Sequence, residues 1–128
     1  MQPKSLKILI ADDVPDIVKL VKIYLGSEVN VLDANDGVEA LEMIQAEKPD
    51  VVFLDIGMPG SLNGLNVLRV LRQDPELKHI HVVFVSGRDP KDLSEADALK
   101  ADAYITKPFS RQNVADWFAN FKAAKQKD

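Results

Sequence analysis

Three aspartates stand at the ends of two short apolar segments in this sequence. Asp12 and Asp13 directly follow the first segment, and Asp55 directly follows the third. If the fold gathers these carboxylates, they repel one another, so the group must take up protons or bind a cation. Their hard oxygen atoms suit magnesium or manganese better than zinc. Magnesium is typically held by one or two carboxylates together with water and phosphate oxygens.

Two further apolar segments are followed by groups that suit a phosphate. Ser86, after the fourth segment, supplies a hydroxyl, and the backbone of Gly87 can approach a ligand closely because it carries no side chain. Lys107, after the fifth segment, supplies a positive charge. A metal, a lysine, a hydroxyl and a carboxylate nucleophile such as Asp55 together make a phosphoryl-transfer site. In such a site an aspartate can carry the phosphoryl group as an acyl phosphate.

The apolar segments that position these groups are predicted to be strands. They cover residues 6–11, 29–34, 51–54, 80–85 and 103–106. The third has no polar alternation, which is typical of a strand buried on both faces. Because ligands bind beyond the carboxyl ends of parallel strands, the groups named above are expected to meet at one edge of the sheet.

Five helical patterns separate or follow the strands. The first opens at Pro15, the second at the capping box of Asp36 and Glu39, and the third at Asn63-Gly64. A weaker helix, rich in acid and alanine, is predicted over residues 90–100, and the last begins near Ser110. Its aromatic residues are expected to pack on the sheet: Trp117, Phe118 and Phe121. The alternation predicts an α/β fold with right-handed crossovers and a parallel sheet between helical layers.

Length and composition narrow the class of protein. The 128 residues fit one domain, expected over 1–128, with a core at about 6–121 and a polar tail or linker at 122–128. The net charge of -4 gives no general attraction to nucleic acid or anionic lipid. No apolar run approaches the ~20 residues that span a bilayer. With no cysteine and no signal-peptide pattern, a cytoplasmic protein is expected.

Each motif also has a simpler interpretation. An Asp-Asp pair after a strand is more often a turn and helix cap than a metal site, and Lys-Pro-Phe alone means little. Two other functional classes, an enzyme and an electron carrier, are alternatives to a domain that only accepts phosphate. A phosphatase with an aspartate nucleophile usually needs a second acid one residue away and a cap over its substrate. A flavin carrier needs a Ser/Thr/Gly-rich phosphate loop where Asp12-Asp13 would instead repel phosphate.

The motifs together resemble the response-regulator receiver family. The similar segments are residues 8–13 (ILIADD), 55–59 (DIGMP), 84–87 (FVSG), 104–109 (YITKPF) and 35–41 (NDGVEAL). The resemblance extends over residues 6–121. It implies a single (βα)5 doubly wound, flavodoxin-like domain with strand order 2-1-3-4-5. A degenerate receiver that serves only as a binding scaffold is disfavoured because the acidic, hydroxyl and lysine positions are all present.

The resemblance also implies a role for each site residue. Asp55 is the expected phosphoacceptor, and it would bind magnesium, or alternatively manganese, with Asp13 and the backbone carbonyl of Gly57. Asp12 would act largely through a bound water. The phosphoryl group is expected to be recognised and sensed by Ser86, Gly87, Lys107 and the switch residue Tyr104, with a cis peptide at Lys107-Pro108.

Partners are implied in the same way. A histidine kinase or phosphotransfer protein would donate the phosphoryl group, and a target protein or attached output domain would read it, without direct nucleic-acid or membrane binding. A phosphorylation-dependent dimer is a further expectation. The resemblance also implies that turnover is limited to magnesium-dependent phosphorylation and dephosphorylation of Asp55. Three features depart from the family pattern. Gly57 stands where many members carry a larger side chain, and the loop 60–64 is one residue longer than usual. Lys100 begins a Lys-Ala-Asp-Ala sequence where Gly-Ala-Asp-Asp is common.

Overall fold

A five-stranded parallel sheet forms the centre of the protein. The computed structural model describes residues 6–58, 60–86, 94 and 98–126. The strands are β1 (Leu6–Ala11), β2 (Val29–Ala34), β3 (Val51–Asp55), β4 (His81–Ser86) and β5 (Ala103–Thr106). Their order is β2-β1-β3-β4-β5 and every pairing is parallel. The predicted fold class and strand order are therefore confirmed.

Helices cover both faces of the sheet. The described helices are α1 (Pro15–Leu25), α2 (Gly37–Glu47), α3 (Gly64–Gln73) and α4 (Arg111–Gln126). Side chains of α2 and α3 share one core cluster with Val52 and Leu54 of β3. Side chains of α1 and α4 share the other cluster with Val51 and Phe53. All five residues of β3 are buried, as its unbroken apolar sequence predicts for the central strand.

The helix starts follow from local capping. Pro15 takes the first turn of α1, where its missing N–H is not needed. The Asp36 side chain accepts a hydrogen bond from the Glu39 N–H at 2.8 Å. The Glu39 carboxylate accepts from the Asn35 N–H at 2.6 Å, one residue earlier than in the predicted capping box. The α3 helix has the reciprocal box, in which Asn63 and Asn66 each accept from the backbone N–H of the other at 2.9 Å.

Two helical segments differ from the sequence prediction or are described only in part. The weak helix over residues 90–100 lies largely outside the described residues; within it, Ser94 and Ala98 are helical. The last helix does not stop at Phe121 but continues to Gln126, so most of the predicted polar tail is helical. Lys122 lies over the Phe118 ring, with its Nζ 4.3 Å from the ring centre, which gives the polar end of α4 a contact that favours the helix.

Candidate functional site

Two neighbouring strands bring the predicted acids together. Asp55 is the last residue of β3, and Asp12 directly follows β1, whose Ala11 pairs with Leu54. One carboxylate oxygen from each of Asp12, Asp13 and Asp55 lies within 4.8 Å of the other two. Asp12 and Asp55 are 2% and 7% exposed, whereas Asp13 is open to solvent. The site is thus an acidic cluster with two buried members and one member facing water.

Backbone N–H groups hold both buried carboxylates in place. The N–H of Val14 donates to Asp12 Oδ1 at 2.9 Å, and the N–H of Gly57 donates to Asp55 Oδ1 at 3.3 Å. The Asp12 N–H donates to the carbonyl oxygen of Ala34 on β2, at 3.1 Å. Each buried carboxylate is therefore oriented by a backbone N–H from the loop that follows its own strand.

Lys107 connects the two buried acids. It directly follows β5, and its Nζ lies 3.1 Å from Asp12 Oδ2 and 3.3 Å from Asp55 Oδ1. The Lys107 side chain is 25% exposed, so water screens these contacts only in part. The Lys107–Pro108 peptide bond is cis.

Burial and like charge set the protonation of Asp55. Burial raises the pKa of Asp55 above its ordinary value of 3.8, and the Asp12 carboxylate raises it further. The Lys107 ammonium and the Gly57 N–H lower the Asp55 pKa without cancelling the rise. For Lys107, burial lowers the pKa, but attraction to Asp55 and Asp12 and the hydrogen bonds to both outweigh it, so the pKa is raised. The cluster therefore favours a bound cation.

The donor set fits a hard divalent cation. Asp12, Asp13 and Asp55 present carboxylate oxygens within reach of one ion, and one of these residues faces solvent. Oxygen ligands with an open side are typical of magnesium sites that complete their shell with water or phosphate. The Lys107 ammonium can contact an anion on the same side as Asp55. Chemically, the site can hold a metal and a phosphoryl group next to a buried carboxylate.

Of the other predicted site residues, Tyr104 is described in full, Ser86 only in its backbone, and Gly87 not at all. Ser86 is the last residue of β4, one step beyond Val85, which pairs with Asp55. The Ser86 side chain and all of Gly87 lie outside the described part of the chain. Tyr104 lies on β5 opposite Phe84 and is 39% exposed. The structure thus joins Asp12, Asp13, Asp55 and Lys107 in one cluster and leaves Tyr104 on the neighbouring surface.

Gly64 is a site residue that sequence reasoning missed. It opens α3 directly beneath the site, and its N–H donates to the Ile56 carbonyl oxygen at 3.3 Å. A Cβ at this position would lie 2.5 Å from the Asp55 carbonyl oxygen. The signal in the sequence is a glycine at the first helical position, where most residues would favour the helix more strongly.

The chain belongs to the response regulator receiver domain family. The family model of that description matches residues 8–118. The chemotaxis protein CheY of Pseudomonas aeruginosa is 34% identical over 110 residues, which cover 84% of this chain and 88% of that protein. PhoP of Bacillus subtilis, an alkaline phosphatase synthesis transcriptional regulatory protein, is 38% identical over 110 residues. The match covers 84% of this chain but 45% of PhoP.

Solved structures agree with this assignment. A response regulator of Chloroflexus aurantiacus has a TM-score of 0.86 and 27% identity, with 94% of this chain and 99% of that chain covered. The receiver domain of AraT from Geobacillus stearothermophilus has a TM-score of 0.84 and 29% identity, with 98% and 100% covered. The protein is a receiver domain of two-component signalling, a class that accepts a phosphoryl group on an aspartate. Within the described residues, no helix is long and apolar enough to cross a membrane.

Proposed function

We propose that Asp55 is the aspartate that accepts the phosphoryl group and that its phosphorylation changes the affinity of this domain for other proteins. One observation carries the proposal. The Asp55 carboxylate is buried at the end of the central strand, among two other acids, and lies 3.3 Å from the Lys107 ammonium. Burial alone favours the neutral form of a carboxyl group. The neighbouring lysine and a bound cation would offset that effect, so the Asp55 carboxylate is suited to ionise and react.

The reaction follows from the positions of the oxygen atoms. Asp55 Oδ1 accepts from the Gly57 N–H and contacts Lys107, which leaves Oδ2 to attack the phosphorus of the donor. A P–O bond to Oδ2 forms as the P–N bond of a phosphohistidine, or the P–O bond of a small acyl phosphate, breaks. Lys107 then neutralises phosphoryl oxygens. Hydrolysis by water returns the carboxylate, so turnover is limited to Asp55 itself.

Magnesium, or manganese in its place, is the cation that we propose for the acidic cluster. Asp13, Asp55 and the backbone carbonyl of Gly57 would bind it directly, and Asp12 would act largely through a water. When bound, the metal offsets the negative charge of the acids and of the phosphoryl oxygens. Because a hard cation prefers oxygen ligands, the three carboxylates within 4.8 Å support this assignment.

The output is proposed to lie on the surface of β5 and α4, together with the segment 90–100. Ser86, at the end of β4, would hydrogen-bond the phosphoryl group, and Gly87 would let the backbone approach it. Tyr104, which is 39% exposed on the adjacent strand, would turn inward as Ser86 moves. One phosphoryl group can tip such a change only if the two arrangements differ by a few kcal/mol.

The partners follow from this chemistry. We propose that this chain is cytoplasmic, with a histidine kinase or phosphotransfer protein as the donor of the phosphoryl group. A target protein or attached output domain would receive the signal. Phosphorylation-dependent dimerisation would use the same surface. The net charge of -4 supports a protein partner rather than nucleic acid.

Intact-mass spectrometry tests the proposal. With magnesium and acetyl phosphate, the protein should gain one phosphoryl group, and Asp55→Asn should gain none. Asp33→Asn is the matched control, because Asp33 is a half-exposed strand acid paired with Lys22 and lies outside the cluster. An adduct formed equally well by Asp55→Asn would remove Asp55 from its role. A wild type that never gains the group would favour a scaffold function.

A further inference from the structure

Arg72, in the last turn of α3, connects the loop that follows this helix to residues 100–102, which are about 30 positions further along the chain. Its Nε and Nη2 donate to the carbonyl oxygen of Lys100 at 3.3 and 2.9 Å. Its Nη1 donates to the carbonyls of Lys78 and Ile80, both at 3.0 Å. Its Nη2 also donates to Asp102 Oδ2 at 2.9 Å. A guanidinium has five N–H donors, and these five contacts match them in number.

The segment that Arg72 holds leads directly into β5. Asp102 Oδ2 also accepts from the Val82 N–H at 2.8 Å, while the Asp102 N–H donates to the Val82 carbonyl at 2.9 Å. Lys100 has a left-handed backbone with a φ of 63°, a conformation that glycine adopts at much lower cost. The contacts of Arg72 and Val82 thus hold an unfavourable bend at the entrance to β5. We call residues 100–102 with Arg72 the clamp.

The opposite end of α3 abuts the phosphorylation site. Gly64 donates its N–H to the Ile56 carbonyl at 3.3 Å and leaves no room for a Cβ against the Asp55 carbonyl oxygen. The reciprocal bonds between Asn63 and Asn66, both 2.9 Å, fix the first turn. A helix rises about 1.5 Å per residue, so Gly64 and Arg72 are about 12 Å apart along a continuous hydrogen-bonded rod.

We propose that α3 carries the phosphorylation signal from Asp55 to the start of β5, with Arg72 as the positioning residue at its far end. This inference rests on the proposed function. A phosphoryl group on buried Asp55 adds volume and charge. A resulting shift of the strand end meets the close contact at Gly64, and α3 can answer only by moving as a unit. The clamp then transmits that movement to residues 100–102. This route does not need Ser86 or Tyr104.

Beryllofluoride, a phosphate mimic, tests the route by amide NMR in the presence of magnesium. In wild type, the amides of Gly57 and of residues 101–103 should both shift. In Arg72→Gln, the shift at Gly57 should remain and the shifts at 101–103 should be lost. Arg69→Gln makes the same change on an exposed arginine one turn earlier on α3 and should behave like wild type.

Arg72→Lys guards against a variant that fails to fold. It keeps the charge but has three donors instead of five, so the shifts at 101–103 should be reduced. If Arg72 only stabilises the fold, its substitution would lower the urea midpoint and leave the beryllofluoride-induced shifts at 101–103 unchanged. That result, in Arg72→Gln or Arg72→Lys, would overturn the route. If beryllofluoride leaves the Gly57 amide shift of the wild type unchanged, the result would instead contradict the proposed function itself.

Discussion

The Asp55 carboxylate costs the metal-free protein stability at neutral pH. Its pKa is raised, by burial first and by Asp12 second, so the folded state holds the Asp55 proton more tightly than the unfolded state. The resulting stabilisation is present below the ordinary pKa of 3.8 and is lost as pH rises through the folded-state pKa. At pH 7 that stabilisation is gone and the ionised carboxylate remains buried.

Asp55→Asn should therefore raise the free energy of unfolding at pH 7 in the presence of EDTA. The gain should shrink as pH falls towards 4, because wild-type Asp55 then takes up a proton. Urea unfolding across this pH range measures the effect, with Asp33→Asn as the control. A lower stability of Asp55→Asn at pH 7 would mean that its contact with Lys107 outweighs the burial.

We expect Lys107 also to stabilise the metal-free fold, an effect that its position in the sequence does not indicate. Considered only as a charge near three acids, it is expected to matter for signalling more than for folding. The structure puts its ammonium 3.1 and 3.3 Å from two buried carboxylates, and removing it leaves both uncompensated. We expect Lys107→Ala without metal to lose roughly 1–3 kcal/mol, less than for a fully buried pair because the lysine is partly exposed.

Urea unfolding in EDTA checks this value, and added magnesium should restore part of the loss. Lys48→Ala is the control, since the Lys48–Glu76 pair is exposed and 3.5 Å long. If Lys107→Ala is as stable as wild type without metal, the lysine does not compensate the acids.

The contact between β3 and α3 predicts different outcomes for alanine substitutions at two glycines near the site. A Cβ at Gly64 would lie 2.5 Å from the Asp55 carbonyl oxygen, whereas a Cβ at Gly57 would meet nothing within 4 Å. Gly64→Ala should cost about 1–3 kcal/mol, as overpacking does. It should also slow phosphorylation, because the Asp55 backbone must move. Gly57→Ala should be close to neutral in stability. Urea midpoints and phosphorylation rates for the pair decide this, and a neutral Gly64→Ala would contradict the close contact.

The elements themselves could be read largely from local sequence. The ranges of β1, β2 and β5 are as predicted, β3 is one residue longer, and β4 is shifted by one residue. Apolar segments and caps such as Asn63 carry that information. The extension of α4 to Gln126 could not be read because residues after Phe121 have no apolar stripe, and their contacts, such as Lys122 on Phe118, form only in the helix.

The site could be predicted as a set of residues but not as a network. Strand ends identify Asp12, Asp55 and Lys107 because parallel strands share one edge. That Lys107 contacts both acids depends on the paths of separate loops. The same is true of Arg72, whose four acceptor atoms lie in two loops whose positions are set by the tertiary fold.

At the scale of the whole molecule, metal binding and folding are linked. A ligand that binds only the native state stabilises it by roughly 1.4 kcal/mol at ten times its dissociation constant. Millimolar magnesium should therefore raise the melting temperature, and Asp13→Ala should abolish the rise. Asp16→Ala, an exposed acid outside the cluster, should keep it. Differential scanning fluorimetry with a magnesium titration is the measurement, and a full response in Asp13→Ala would locate the metal elsewhere.

Among the clustered acids, Asp55 is the one that we propose to carry the phosphoryl group. Borohydride reduces an aspartyl phosphate to homoserine, which survives digestion and marks the modified residue. After incubation with acetyl phosphate and magnesium, reduction and peptide sequencing by tandem mass spectrometry should find homoserine at position 55 alone. Homoserine at position 12 or 13, or at no position in a protein whose intact mass shows the adduct, would contradict the claim.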